Sequence, residues 1–209
     1  MPCNHKFPNE LLLEQIDYEP VTLIVGTFNP EWPEEIPCEW FYGRTASNHF
    51  WNVLPRLYGE GSLADATADE WKAFCRSKQI AITDIISGID DAERDNKEHN
   101  KIFTGLADQA LAYNFDDLDF VNIVKILKDH PTIKNVYFTR GITEAFWRHL
   151  WNPVMQYCSK NDIHERRLLS PSADAASYHK VYNEQQPDNQ IAAVEDYILM
   201  RWREEWHEV

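Results

Sequence analysis

Two asparagines stand out among the polar residues that follow apolar segments of the chain. Asn29 lies in the segment GTFNP, and Asn48 begins the segment NHFW. An asparagine carbonyl can orient a water molecule, and its NH2 group can donate hydrogen bonds. Asparagine is also common before proline in a turn and at the start of a helix. From the residues alone, a catalytic and a structural interpretation both stay open for each asparagine.

A second group combines short hydroxyls with positive charge. Ser170, Pro171 and Ser172 are adjacent, and Arg167 and Lys180 lie close by in the densest run of potential positive charge. Hydroxyl and backbone N–H groups at a turn from a strand into a helix suit phosphate oxygens. The alternative interpretation is a solvated turn with ordinary surface charge.

Hydrophobic periodicity predicts the elements that must position these groups. Short apolar or β-branched segments predict four strands, and apolar residues three or four positions apart predict helices. The predicted strands are residues 21–25, 80–86, 135–139 and 165–169. Helices are predicted from about residue 48, over 62–78, 101–113 and 117–129, after Gly141 and after Asp188, with 87–100 as a polar loop.

The alternation of strands and helices predicts an α/β fold, with a parallel sheet covered by helices on both faces. Ligands of such sheets bind beyond the carboxyl ends of the strands. Those ends carry GTFNP, TDIIS, TRG and SPS, so we expect the chemistry to come from these four loops. Asp84, in the second loop, is interpreted as a helix cap or turn former rather than a base.

Composition sets limits on the class of protein. The 209 residues predict one domain over 1–209, and the many aromatic residues argue against disorder. Lys plus Arg number 20 and Asp plus Glu 34, and this net charge of −14 argues against DNA binding unless positive charge is concentrated locally. No apolar run reaches roughly eighteen residues and no apolar leader is present, so we expect no membrane contact and a cytoplasmic protein. No cysteine lies in a Cys-x-x-Cys pair, so we expect no metal site and no cofactor.

Three segments, taken in order, resemble the uracil-DNA glycosylase superfamily. They are LIVGTFNP followed by WFYGRTASNHFW, then IAITDIISGIDDAERD, then VYFTRGITEAFWRHL followed by LLSPSADAAS. The resemblance covers roughly residues 20 to 180 and is strongest to the mismatch-specific uracil glycosylases and the hypoxanthine-DNA glycosylases. It implies a three-layer α/β/α fold with a central four-stranded parallel sheet.

The activity that this resemblance implies is that of a monofunctional, monomeric DNA glycosylase in base excision repair. Such an enzyme flips a deaminated nucleotide, carrying uracil, hypoxanthine or xanthine, out of DNA and hydrolyses its N-glycosidic bond. The bond breaks through an oxocarbenium-like sugar while negative charge builds on the leaving base. Fixed hydrogen-bond donors and a positioned water molecule are therefore the groups to look for.

The resemblance also assigns roles to residues. Asn48 matches the functional asparagine of an Asn-x-Phe-Trp motif, and Asn29 approximates the asparagine of Gly-x-Asn-Pro, with one additional residue before it. Both are therefore predicted to be catalytic. The predicted base-binding residues are Thr27, Phe28, Phe41 and Tyr42. The predicted DNA-binding residues, which pinch phosphates and fill the gap left by the base, are Arg167, Ser170, Pro171, Ser172 and Lys180.

Two other functions stay open at this point. A non-catalytic module that keeps the fold and binds a nucleotide or a protein would have a pocket filled by its own side chains. An N-glycosidase of free nucleosides would need the same pocket chemistry without a DNA-binding loop. Comparing a nucleoside with an oligonucleotide as substrate separates this last function from that of a DNA glycosylase.

Overall fold

The structure is a computed structural model that describes residues 1–34, 38–43, 48–105 and 108–207. The strands in these ranges are β1 (Cys3–Asn4), β2 (Thr22–Gly26), β3 (Ile80–Asp84), β4 (Ile86–Ile89), β5 (Leu118–Phe120), β6 (Asn135–Phe138) and β7 (His164–Arg167). The helices are α1 (Phe50–Leu57), α2 (Ala68–Ser77), α3 (Lys97–Gly105), α4 (Asp108–Asn114), α5 (Ile123–Asp129), α6 (Ala145–Lys160), α7 (Ala175–Gln185) and α8 (Val194–Glu205).

The central sheet has four parallel strands in the order β3-β2-β6-β7. All residues of β2, β3 and β6 are buried, which explains why their sequences are apolar runs rather than alternating patterns. Helices pack along this sheet, for example α2 on β3 and α6 on β7. The predicted three-layer α/β/α fold with a four-stranded parallel sheet is confirmed. In the described ranges, no helix is both long and apolar enough to cross a membrane.

A second, smaller sheet was not predicted. Strands β1, β4 and β5 form it in the antiparallel order β1-β4-β5. The prediction of a polar loop over 87–100 is therefore wrong at both ends, because β4 continues to Ile89 and α3 begins at Lys97. The helix predicted over 117–129 is instead β5 followed by α5. The Asn122 side chain accepts a hydrogen bond from Lys125 N–H and so starts α5 afresh.

Aromatic packing fixes α1, the helix that follows the long loop after β2. Phe50 and Trp51, its first two residues, are buried, and Phe50 packs edge-on against Trp202 of α8. Pro55 lies inside the helix, which ends two residues later at Leu57. Helix α7 was not predicted, because only one of its residues is buried and its sequence shows little apolar periodicity.

Candidate functional site

The carboxyl ends of the four parallel strands border one open cleft with a volume of about 730 Å³. Its wall includes residues 27–29 after β2, Asp84 at the end of β3, residues 139–141 after β6 and residues 167–172 at the end of β7. This is the edge at which parallel sheets bind ligands. The volume also lies within the roughly 300–1,000 Å³ of small-molecule sites. The four loops identified from the sequence therefore meet around one cavity.

Asp84 is a buried carboxylate on the wall of this cleft, with only 1% of its surface exposed. Its Oδ2 atom lies 2.9 Å from His5 Nε2 and accepts a hydrogen bond of 2.6 Å from Asn29 Nδ2. These partners are 79 and 55 residues away in the chain. Asp84 is therefore not the local cap or turn former that the sequence suggested, because its partners come from two distant segments.

His5 is held in one tautomer beside Asp84. The Phe7 N–H donates a hydrogen bond of 2.9 Å to His5 Nδ1, so Nδ1 acts as an acceptor and carries no proton. Nε2 then carries the ring proton and donates it to Asp84. His5 is only 1% exposed and packs against Phe28 and Phe41. Asp84 Oδ2 therefore accepts from two neutral donors, the His5 ring and the Asn29 amide.

Gly26 allows Asp84 and Tyr42 to approach the end of β2. A Cβ atom at Gly26 would lie 2.2 Å from Asp84 Oδ1 and 2.8 Å from the Tyr42 hydroxyl. Tyr42 shares a hydrogen bond of 2.9 Å with Thr139, and its ring stacks on Phe50 at a centroid distance of 3.7 Å. Burial, with the Asp84 charge as a second cause, raises the pKa of Tyr42 well above its ordinary value, so the hydroxyl stays protonated at neutral pH.

Asn48 lines the cleft and is hydrogen-bonded to the first residue of α1. Its Oδ1 atom accepts a hydrogen bond of 3.0 Å from Phe50 N–H. The next residue, His49, donates its backbone N–H to the Pro171 carbonyl at 2.7 Å. The start of α1 is thus joined to the loop of residues 170–172, as a shared cavity requires. Thr45 and Ser47, candidate caps of α1 by residue type, lie outside the described residues.

The loop of residues 170–172 is anchored on two sides of the cleft. Trp202 Nε1 donates to the Leu169 carbonyl at 2.8 Å, in addition to the contact with α1. The hydroxyls of Ser170 and Ser172 are hydrogen-bonded to each other at 3.0 Å. The loop therefore presents its two hydroxyls from a backbone that is held at Leu169 and at Pro171.

Asp108, the first residue of α4, is a second carboxylate on the cleft wall. Thr27 Oγ1 donates to its Oδ1 atom at 2.7 Å, and Arg140 Nη1 lies 3.2 Å from its Oδ2 atom. Arg140 also pairs with Glu144 at 3.4 Å, and its guanidinium lies 3.9 Å from the ring centroid of Trp147. One buried guanidinium therefore serves two carboxylates.

The electrostatic environment of Asp108 differs from that of an ordinary surface carboxylate. Desolvation raises its pKa to about 6, and the charges of Asp84 and Asp174 act in the same direction. Arg140 and the hydrogen bond from Thr27 oppose this shift but are outweighed. Asp108 thus changes its protonation state within the pH range in which enzymes commonly work.

Most of the predicted site residues line the cleft, namely Thr27, Phe28, Asn29, Tyr42, Asn48, Arg167, Ser170, Pro171 and Ser172. Phe41 does not line it; this ring is fully buried and packs behind the cleft against His5 and Phe7. Lys180 lies on the outer face of α7, with 78% of its side chain exposed, 4.0 Å from Glu184. These two side chains support or flank the site rather than face it.

The arginines around the cleft are paired with carboxylates. Arg167 lies 3.1 Å from Glu165, and Arg201 lies 2.8 Å from Glu204. Both pairs join neighbours in the chain, and both arginines line the cleft. The local positive charge expected near the 170–172 loop is therefore largely neutralised.

Four residues of the site were missed by sequence reasoning, namely His5, Gly26, Asp108 and Arg140. His5 and Asp108 belong to no recognised motif, and only the three-dimensional contacts reveal them. Gly26 and Arg140 lie in loops that the sequence did identify. Their position at the carboxyl end of a predicted strand could have indicated that they belong to the site. In the ranges that the structure describes, no group of three or more His, Cys, Asp or Glu side chains is arranged to hold a metal ion.

Comparison with solved structures reveals one informative similarity. The chain is similar to the solution NMR structure of a candidate uracil DNA glycosylase from Methanosarcina acetivorans, with a TM-score of 0.53 and 14% sequence identity. The similarity covers 88% of this chain and 92% of that one. No known protein family matches the sequence, and no curated protein is similar to it in sequence. The chain therefore shares the fold of that protein.

Proposed function

We propose that this protein is a DNA glycosylase that hydrolyses the N-glycosidic bond of a deaminated base, such as uracil, hypoxanthine or xanthine, flipped into the cleft. The observation that carries this proposal is the meeting of Asn29, Asn48 and residues 170–172 around one cavity. These groups come from the end of β2, the start of α1 and the end of β7. The fold shared with a candidate uracil DNA glycosylase adds support.

The hydrogen bonds of the two asparagines suggest complementary roles. The NH2 group of Asn29 is bound to Asp84, and its carbonyl accepts a hydrogen bond of 3.5 Å from the Cys38 thiol, so the second lone pair of this carbonyl is left to accept from a water molecule. The carbonyl of Asn48 accepts from Phe50 N–H, so its NH2 group is the one left to donate. Attack at C1′ requires a positioned water molecule, and the negative charge on the leaving base requires a fixed hydrogen-bond donor. We assign water positioning to Asn29 and stabilisation of the leaving base to Asn48.

Aromatic side chains provide a surface for the flipped base. Tyr42 is held by its stack on Phe50, and Phe28 lies beside it on the cleft wall. Stacking of a base on an aromatic ring contributes roughly 1–3 kcal/mol. In this proposal the base packs against Tyr42 on the ring face opposite Phe50. Phe41 keeps its proposed role in base binding indirectly, by packing behind the cleft.

The loop of residues 170–172 is proposed to contact DNA phosphates beside the flipped nucleotide. Its hydroxyls and its fixed backbone suit phosphate oxygens. Arg167 is proposed to join it from the cleft wall, and Lys180 from α7. In this proposal Arg167 and Lys180 exchange their partners Glu165 and Glu184 for DNA phosphates, because these ion pairs otherwise neutralise their charge on a protein of net charge −14.

A second candidate function is an N-glycosidase of free nucleosides. The pairing of Arg167 with Glu165 and of Arg201 with Glu204 favours it, because a duplex needs unneutralised positive charge. A non-catalytic module would fill its pocket with its own side chains. The open cleft of about 730 Å³ therefore argues against that function.

Base release from defined substrates tests the proposal. One oligonucleotide sequence would carry a single uracil, hypoxanthine or xanthine, in single- and double-stranded form, beside the matching free deoxynucleosides. We expect release from the oligonucleotides, and a loss of about 100-fold or more in Asn29→Ala and Asn48→Ala. Chromatography of the released base provides the measurement.

Asn52→Ala is the matched control, because Asn52 lies on α1 and its side chain contacts Arg56 and Ser62 rather than the cleft. Release from nucleosides alone would favour the second candidate. No release by the unmodified protein from any substrate would reject both enzymatic functions. Equal activity of Asn48→Ala and Asn52→Ala would remove Asn48 from the mechanism.

A further inference from the structure

Four carboxylates line the cleft, namely Asp84, Asp108, Glu144 and Asp174, and the roles assigned above leave Asp108 without a function. Asp84 accepts hydrogen bonds from two donors on one oxygen, and both donors are neutral groups. Asp108 accepts one hydrogen bond, from Thr27, and lies beside a guanidinium that a further carboxylate shares. Pairs of carboxylates whose surroundings differ in this way divide the roles of acid and base in many hydrolases.

We propose that Asp108 is a catalytic acid that protonates a ring nitrogen of the leaving base, and that deaminated purines are therefore preferred over uracil. This inference rests on the proposed glycosylase function. It extends that function by adding a residue from α4, an element to which no sequence motif pointed.

The first support is the charge balance around Arg140. Its guanidinium lies 3.2 Å from Asp108 and 3.4 Å from Glu144, so one positive charge faces two negative charges. Nη1 of Arg140 makes no aligned hydrogen bond to any residue in the described ranges, although it is buried. The contact with Asp108 is therefore a loosely directed ion pair rather than a bidentate one. One proton on Asp108 brings this group of three side chains to neutrality.

The second support is the set of groups that surround Asp108. Desolvation by the cleft wall and the negative charges nearby raise its pKa to about 6. An acid with a pKa near the working pH is both protonated often enough and strong enough to transfer its proton. The polar and charged groups that face it are Thr27 after β2, Tyr42, Asp84 at the end of β3, Arg140 after β6 with Glu144 behind it, and Asp174 before α7.

Asp84 is the carboxylate to which the proposal assigns electrostatic stabilisation of the sugar. The tautomer of His5 is fixed by Phe7 N–H, so His5 donates to Asp84 without carrying a positive charge. The carboxylate charge of Asp84 is then available to stabilise the positive charge that develops on the sugar. In this proposal Asp84 supplies charge beside the sugar and Asp108 supplies a proton to the base.

The reaction step balances as follows. The C1′–N9 bond of the purine nucleotide breaks, and its electron pair moves into the purine ring. The O–H bond of Asp108 breaks, and the proton passes to purine N7. A water oxygen bonds to C1′ and releases one proton to solvent, from which Asp108 is protonated again. The products are an abasic sugar and a neutral purine.

The preference for purines follows from the acceptors on the base. Hypoxanthine and xanthine carry an N7 lone pair that can accept a proton, as other purines do. Uracil has no such free ring nitrogen, and it leaves as an anion that needs donors rather than an acid. A cleft acid therefore assists a purine more than it assists uracil.

The pH dependence of base release tests this proposal. We expect kcat/KM for hypoxanthine to fall about tenfold per pH unit above about 6, because the protonated fraction of Asp108 falls at that rate. Asp108→Asn should lower hypoxanthine release about 100-fold at pH 6 and flatten this profile. Uracil release from a duplex of the same sequence should change less, both with pH and in Asp108→Asn. Asp65→Asn is the control, since Asp65 lies in an exposed turn outside the cleft.

A titration of the free protein supplies a readout independent of activity. The Asp108 carboxyl signal in the ¹³C NMR spectrum is identified by its absence from the spectrum of Asp108→Asn. In the unmodified protein this signal should titrate with a midpoint near pH 6. A midpoint at the ordinary value of an aspartate, or hypoxanthine profiles that match in the variant and the unmodified protein, would overturn this proposal alone. An absence of base release by the unmodified protein would overturn the proposed function and this inference with it.

Discussion

The bottom and the edge of the cleft are built in different ways. The floor, which we define as Asn29, Tyr42 and Asp84 with His5 behind them, is buried or half-buried and is hydrogen-bonded across 55 to 97 residues of chain. The rim, which we define as Arg167, Tyr178, Arg201 and residues 170–172, is more exposed, and its arginines pair with glutamates two or three residues away.

This contrast indicates what each region contributes. Floor contacts exist only when the whole sheet has formed, so the floor should couple catalysis to stability. The ion pairs of Arg167 and Arg201 on the rim are local and partly exposed, and such ion pairs contribute little to stability. The rim should therefore affect binding while leaving folding almost unchanged. Four predictions, from the largest expected effect to the smallest, test this difference.

The largest effect is expected at Asp84. Asp84→Ala leaves the His5 ring and the Asn29 amide without their acceptor, and each unsatisfied buried donor costs about 1–3 kcal/mol. We expect the free energy of unfolding, measured by urea denaturation, to fall by about 2–5 kcal/mol. Asp84→Asn keeps one acceptor oxygen and should lose less. If Asp84→Ala lost no more free energy of unfolding than a rim variant, the proposed difference between floor and rim would be contradicted.

A smaller loss is expected at Gly26. In Gly26→Ala the new methyl would lie 2.2 Å from Asp84 Oδ1, so the floor must shift, and overpacking of this kind costs about 1–3 kcal/mol. Base release should fall in the same variant, because Tyr42 is displaced as well. Gly61→Ala is the matched control, since no atom lies within 4 Å of its added Cβ. Unfolding of both variants at the same urea concentration would contradict the close packing of Asp84 and Tyr42 against Gly26.

The same contrast explains what the sequence could predict. Strands β2, β3 and β6 were found within one or two residues, because a buried parallel strand is a continuous apolar run. The cleft loops followed from them, since the carboxyl edge of a parallel sheet is fixed once its strands are known. Candidate residues on the rim were found for the same reason.

The floor could be predicted only in part. Asn29 and Tyr42 were identified through their motifs, but the partnership of His5 with Asp84 joins residues 79 apart and leaves no local pattern. Strand β1, which positions His5, has only two residues and is defined by pairing with β4. Asp108 was missed because its significance depends on Thr27 and Arg140, two side chains from other strand ends.

Asp108 lies on the wall between floor and rim, and its effect should be intermediate and pH-dependent. Its pKa rises from the ordinary 3.8 to about 6 on folding, so the folded protein holds a proton that the unfolded chain has released. Stability contributed by Asp108 is therefore present below about pH 4 and is lost as the pH rises through about 6.

Asp108→Asn lacks this titration. The difference in free energy of unfolding, unmodified protein minus Asp108→Asn, should therefore become more negative by about 1–2 kcal/mol between pH 4 and pH 7. Urea denaturation of both proteins across this range provides the measurement. A difference that does not vary with pH would show that folding leaves the pKa of Asp108 unchanged, and the wall would then behave like the rim.

The smallest effect on stability is expected at the rim. Arg167→Ala should change the free energy of unfolding by no more than about 1 kcal/mol, because the Arg167 side chain is partly exposed and Glu165, which is nearly buried, keeps its hydrogen bond from Trp151 Nε1. Binding to DNA should nevertheless weaken, and the slope of log K against log salt should decrease by about one, if Arg167 contacts a phosphate. Lys180→Ala sharpens the test, because Lys180 is exposed on α7 and does not line the cleft. A smaller change of slope in Lys180→Ala confines DNA contact to the rim, whereas equal slopes would extend the contact along α7 and make the rim only part of the binding surface.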